Sequence, residues 1–176
     1  MTNKIKQNLS YVLCAALGLL TFIVSAFAYA VVEVNFYGAN KSYSGYNLLG
    51  DEWSAYGDVV STLSTAAVFQ VIILIFAGLM LAYGACGILK AIGVFNQFPE
   101  AIGSVKTKLI ARVALWVFAC LNVLQFIFLV MGVTDGAFDG VADFRLSAGI
   151  FITLILSLGA VFAELFLDKK FANSDE

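Results

Sequence analysis

Four long stretches of apolar side chains leave this chain little choice of solvent. The clearest runs from Ala66 to Leu89, AAVFQVIILIFAGLMLAYGACGIL, and holds no Asp, Glu, Lys or Arg. A helix needs about 20 mostly apolar residues to cross the hydrocarbon core of a bilayer. Leu9 to Val32, Leu109 to Val133 and Ser147 to Leu167 are also long enough, with Arg112 near the start of the third and Glu164 near the end of the fourth. Composition agrees: 61% of residues are hydrophobic and 12% charged, against about 25% charged in a soluble domain. That excludes a disordered chain, a nucleic-acid-binding domain and an ordinary cytosolic enzyme. Membrane strands are a poor fit, since the runs far exceed about 10 residues and do not alternate in polarity. The expected fold class is therefore an all-α integral membrane protein. It is a single domain of four transmembrane helices in an antiparallel bundle, with short extracytoplasmic loops.

Basic residues set the expected orientation, because short loops rich in Lys and Arg stay cytoplasmic. Lys4 and Lys6 precede the first run, Lys90, Lys106, Lys108 and Arg112 lie between or just inside the second and third, and Lys169 and Lys170 follow the fourth. Only Lys41 and Arg145 fall on the other side, which carries Glu33, Asp51, Glu52, Asp58, Asp135, Asp139 and Asp143. The N-terminus and C-terminus are expected inside, and the chain in the plasma membrane. The start also has features of a signal peptide, with small-x-small sites at Ala26-Phe27-Ala28 and Ala28-Tyr29-Ala30. A 24-residue apolar run exceeds the usual 7–15 of such a leader, so retention as a first span is expected; cleavage would leave three spans.

The first outer loop, about residues 33–58, places Tyr37, Tyr43, Tyr46, Trp53 and Tyr56 among Gly, Ser and Asn. Tyr and Trp concentrate at the membrane–water boundary, and they also give large contact area at low entropy cost. These five are the candidate partner-binding residues; the plainer reading is an aromatic belt. Asn40-Lys41-Ser42 fits the glycosylation pattern. The second outer loop, about 134–146, spaces Asp135, Asp139 and Asp143 by four, which on a helix would put them on one face. It reads as a solvated acidic rim or, alternatively, a weak cation site. The inner loop, about 90–108, spaces Ile92, Phe95 and Phe98 by three before Pro99, consistent with an interfacial turn on the inner leaflet.

Between helices in lipid, small residues and hydrogen bonds supply the attraction. The second run offers Gly78, Ala82 and Cys86 as a packing ridge. The first offers Cys14, Gly18, Ala26 and Ala30, and the fourth Gly149, Thr153 and Ser157, with Gly159 and Ala163 on a second line. Gln70 on the second run, and Asn122 and Gln125 on one face of the third, are expected to bond across helices. Arg112 and Glu164 lie at similar depth and are the candidate intramembrane ion pair, the alternative being that each reaches the interface separately.

There is no His, so the commonest general base and metal ligand is missing. Cys14, Cys86 and Cys120 all fall in apolar runs, as small packing residues rather than a disulfide framework. No cofactor, metal or catalytic set is expected, and no nucleic-acid partner. The expected partners are the lipid bilayer and either other membrane proteins or further copies of this chain as a homo-oligomer. The expected function is that of a non-enzymatic interaction, scaffold or accessory subunit. The alternative is a subunit of an oligomeric ion channel or small-molecule transporter with an acidic outer mouth. The layout, with both ends inside and a longer first outer loop, resembles that of claudin- and MARVEL-type four-span proteins. The likeness is one of topology: the paired Cys and Gly-Leu-Trp signature of a claudin first loop are absent, Trp53 standing in Glu52-Trp53-Ser54. No functional residue is carried over from it.

Overall fold

The computed structural model describes residues 9–27, 32–36, 39–45, 47–50, 61–94, 105–138 and 143–172. Four helices account for most of them: α1 (Leu9–Phe27), α2 (Ser61–Ala91), α3 (Val105–Phe138) and α4 (Ala148–Ala172). Three contain stretches long and apolar enough to cross a membrane: Ser61–Ala91, Leu109–Thr134 and Ala148–Phe166. In α1 the apolar stretch Leu9–Ser25 is shorter.

The chain is not all helical. A hairpin, β1 (Val32–Phe36) and β2 (Ala39–Tyr43), pairs with β3 (Asp143–Leu146) in an antiparallel sheet of order β2-β1-β3. The two expected outer loops are thus joined in one structure. The run Leu9 to Val32 is not one element, since the helix gives way to strand where the pattern turns to Val-Glu-Val-Asn-Phe. Alternation of period two fits a half-buried strand and not a helix. The spacing of Asp135, Asp139 and Asp143 follows no single helical face either: Asp135 belongs to α3, Asp143 opens β3, and Asp139 lies outside the described residues.

Two apolar cores lie one above the other. One, at the sheet end, gathers Val34, Tyr43 and Leu48 from the sheet region with Leu63, Ala66, Leu129 and Ile150 from α2, α3 and α4. The other, further from the sheet, gathers Tyr11, Cys14 and Leu17 with Ile73, Ala77, Met80, Leu115, Phe118, Ala160 and Val161. Phe76 stacks on Phe118 within it, ring centroids 6.2 Å apart.

α1 and α2 approach backbone to backbone. A Cβ on Gly18 would stand 2.5 Å from the Ala77 carbonyl oxygen, and one on Gly84 would stand 2.5 Å from the Tyr11 carbonyl oxygen. A Cβ on Gly87 would strike the Tyr11 ring. The expected ridge Gly78-Ala82-Cys86 is therefore displaced by about one residue. Gly78 and Cys86 are half-buried, Ala82 is exposed, and the packed line runs through Ala77, Met80, Gly84 and Gly87. Every α2 face near this level carries small residues, so spacing alone does not choose among them. On α4, Gly149 and Ser157 are buried, Thr153 and Ala163 half-buried, and Gly159 exposed.

α2 ends in a Schellman turn. Val94 N–H donates to the Leu89 carbonyl and Gly93 N–H to the Lys90 carbonyl, both at 3.1 Å. Gly93 takes φ +78°, the left-handed conformation this turn demands. Of the expected interfacial turn, Ile92 is exposed here, while Phe95, Phe98 and Pro99 lie outside the described residues.

Candidate functional site

Three polar layers cross the bundle at different depths. The first is the sheet. Glu33 lies opposite Ser42 on one side and Arg145 on the other, and all three are exposed. Directly paired residues share a face, so this row looks away from the bundle. Asn35 continues it, in register with Asn40 and Asp143. The inward face carries Val34 and Tyr43, 1% and 2% exposed. Lys41 sits at the edge, its Nζ 5.7 Å from the centre of the Tyr43 ring. Ser147 Oγ donates to Glu33 Oε1 at 3.1 Å, tying the sheet to the start of α4.

Tyr43, expected at a partner surface, is instead a core residue beneath the sheet. Tyr37, Tyr46, Trp53 and Tyr56 lie outside the described residues. The exposed row of Glu33, Ser42 and Arg145 escaped sequence reasoning. Its signal is the short alternation at 32–36, masked by Val31 and Val32, which extend the apolar run before it.

The middle layer is made of amides. Gln125 Nε2 donates to Gln70 Oε1 at 2.6 Å, and Gln70 Nε2 donates to Ser25 Oγ at 3.2 Å. One chain of bonds thus links α3, α2 and α1. Ser25 was not foreseen, since a lone hydroxyl in an apolar run usually bonds back to its own helix, as Thr21 does to the Leu17 carbonyl at 2.8 Å. Gly45 closes the chain from above: a Cβ there would stand 2.8 Å from Gln70 Nε2. One turn further from the sheet, Asn122 Nδ2 donates to its own helix at the Phe118 carbonyl, 2.9 Å away. Its Oδ1 is buried and has no hydrogen-bond partner among the described residues.

These bonds can be tested as a unit. Gln70→Leu leaves both Gln125 and Ser25 without their partner and is expected to cost about 1–2 kcal/mol. The Gln70→Leu, Gln125→Leu double variant is expected to lose less than the two single losses together. A double-mutant cycle of melting curves in detergent measures this, and simple additivity would contradict the shared bond.

The third layer, furthest from the sheet, is ionic. Arg112 Nε donates to Glu164 Oε1 at 2.6 Å, and Ser10 Oγ donates to the same oxygen at 3.5 Å. The Glu164 side chain is 4% exposed and that of Arg112 39%. Charge and hydrogen bond thus fasten α1, α3 and α4 at one level. Cys14 adds a weak contact there, its thiol reaching the Ala111 carbonyl at 3.6 Å. All three cysteines are free: Cys14 buried, Cys86 half-buried and Cys120 exposed.

Comparison with known proteins adds no relative: no family model matches the chain, and neither a curated protein nor a solved structure does so.

Proposed function

We propose that this chain is a non-enzymatic, four-span membrane protein that acts as an interaction or accessory subunit and presents its sheet outside the cell. The observation that carries this reading is the sheet itself. Two segments far apart in sequence are paired, seated on the bundle through Val34, Tyr43 and Leu48, and leave a polar row of Glu33, Ser42 and Arg145 facing outward. A rigid scaffold under an exposed, polar face is how recognition surfaces are generally held.

The four-span arrangement draws on α1. It is 19 residues long, about 28 Å at 1.5 Å per residue, and its Gly18 lies against the α2 backbone. Both ends lie inside because eight of the ten basic residues flank that side. The channel alternative would need a polar path. Gln70 and Gln125 instead bond to each other beneath Gly45, between two apolar cores.

The test uses a variant with its native cysteines replaced, carrying either Ser42→Cys or Val94→Cys. Both positions are exposed, one on the sheet and one past the end of α2. A membrane-impermeant maleimide cross-linker should modify position 42 in intact cells and position 94 only after permeabilisation. The position-42 adduct should contain a different polypeptide, and the yield should fall when Glu33 and Arg145 exchange identities. Reversed labelling overturns the orientation. Adducts formed only with a second copy of the chain overturn the accessory role in favour of a homo-oligomer.

A further inference from the structure

A groove of about 380 Å³ runs between α3 and α4 on the side away from the bundle axis. Its floor is Ala119 and Val161, 3% and 4% exposed. Its walls are Trp116, Cys120, Leu124 and Leu158. The residues from Trp116 to Leu124 rise about 12 Å along α3, close to the roughly 15 Å hydrocarbon depth of one leaflet. The lining is wholly apolar. Arg112 stands one turn below Trp116 on the same helical stripe, at the inner end of the groove, with 39% of its side chain exposed.

The charge at that end is not balanced by acids. Residues 105–112 and 164–172, the inner ends of α3 and α4, contain five Lys or Arg against Glu164 and Asp168. A guanidinium can serve a carboxylate and a phosphate together, through different N–H donors. Phosphate is also what basic residues at an inner membrane surface meet. An apolar channel one leaflet deep with a cation at its interfacial end has the shape and polarity of a single phospholipid.

We infer that the α3–α4 groove is a binding site for one acyl chain of an anionic glycerophospholipid of the inner leaflet, its phosphate held at Arg112. The inference rests on the membrane reading above and adds the ligand class and the residues that select it. Trp116 forms one wall, so the site carries its own reporter.

The experiment uses full-length protein with Trp53→Phe, which leaves Trp116 as the sole tryptophan. It is reconstituted into phosphatidylcholine vesicles containing graded fractions of phosphatidylglycerol, with bromine on the acyl chains of one lipid or the other. Flotation of the vesicles checks insertion separately: a chain that does not float, or that alkaline carbonate strips off, overturns the membrane reading itself. With insertion established, brominated phosphatidylglycerol should quench Trp116 at about five-fold lower mole fraction than brominated phosphatidylcholine. Arg112→Gln should abolish that preference. Cys120→Phe, which fills the groove from an exposed wall without touching the ion pair, should abolish it while the melting temperature holds. Equal quenching by both lipids would reduce the groove to ordinary lipid contact and overturn the site. So would a preference that survives both substitutions, or a floating protein whose Trp116 neither lipid quenches, the sign of a second copy covering the groove.

Discussion

Replacing Gly84 with leucine is expected to separate α1 from α2 and lower the melting temperature in detergent by about 5–12 °C, while Ala82→Leu two residues away changes it little. Even a methyl group at position 84 would meet the Tyr11 carbonyl oxygen and the Ala15 nitrogen at 2.5 Å. Backbone atoms cannot step aside as a side-chain tip can, so the helices must move apart. Overpacking a tight interior costs about 1–3 kcal/mol, occasionally more, and a chain of this size loses about 2–4 °C per kcal/mol. Removing the close contact also forfeits the packing that holds helices together in lipid. Gly18→Leu should behave as Gly84→Leu does, since its Cβ would meet the Ala77 carbonyl oxygen at the same distance. Ala82 is exposed, and a larger apolar side chain there meets only hydrocarbon. Melting curves of the three variants decide the matter; equal losses at 82 and 84 would mean that the helices do not cross at these glycines.

The second large effect is unequal loss at the two ends of one ion pair. Arg112→Gln leaves the Glu164 carboxylate almost wholly buried and is expected to cost about 3–5 kcal/mol, the usual result of stranding a buried charge. Glu164→Gln is expected to cost about 1 kcal/mol. The remaining guanidinium is 39% exposed and can reach the interface through its long stem, while the new amide still accepts from Ser10. The double variant should recover most of what Arg112→Gln loses, because no charge is then left stranded. A double-mutant cycle in detergent reads the coupling directly. Equal single losses that simply add would show that the two groups are solvated independently.

These two predictions rest on different kinds of information. Arg112 and Glu164 were legible as a pair because few ionisable residues lie within the apolar runs, and helix rise places them at similar depth. The amides Gln70 and Gln125 were legible for the same reason, that a polar side chain in lipid gains by finding a partner, whereas Asn122 was expected to bond across helices as well. Gln70 and Gln125 bond to each other, and Asn122 bonds to its own helix. The glycine crossing was only half legible. Small residues are abundant on both α1 and α2, and the choice of Gly84 over Ala82 as the contact depends on a rotation of α2 of which spacing carries no record.

The sheet was the least legible element. β1 is five residues long and follows directly on an apolar run. β3, Asp-Phe-Arg-Leu, is four residues long, too short to announce a strand. Short strands need neighbours and a packed face, and here β1 pairs with both β2 and β3 over the end of the bundle. Tyr43 shows the consequence, since its aromatic ring suited a recognition surface until the pleat turned it inward.

Sequence by itself determined the apolar solvent and the helical character of the long runs, because both follow from transfer free energies that add residue by residue along the chain. Tertiary structure decided which glycines touch, which tyrosine is buried and which polar row faces out. Those depend on how rigid elements rotate and pair once they meet, a property of contacts between residues distant in sequence.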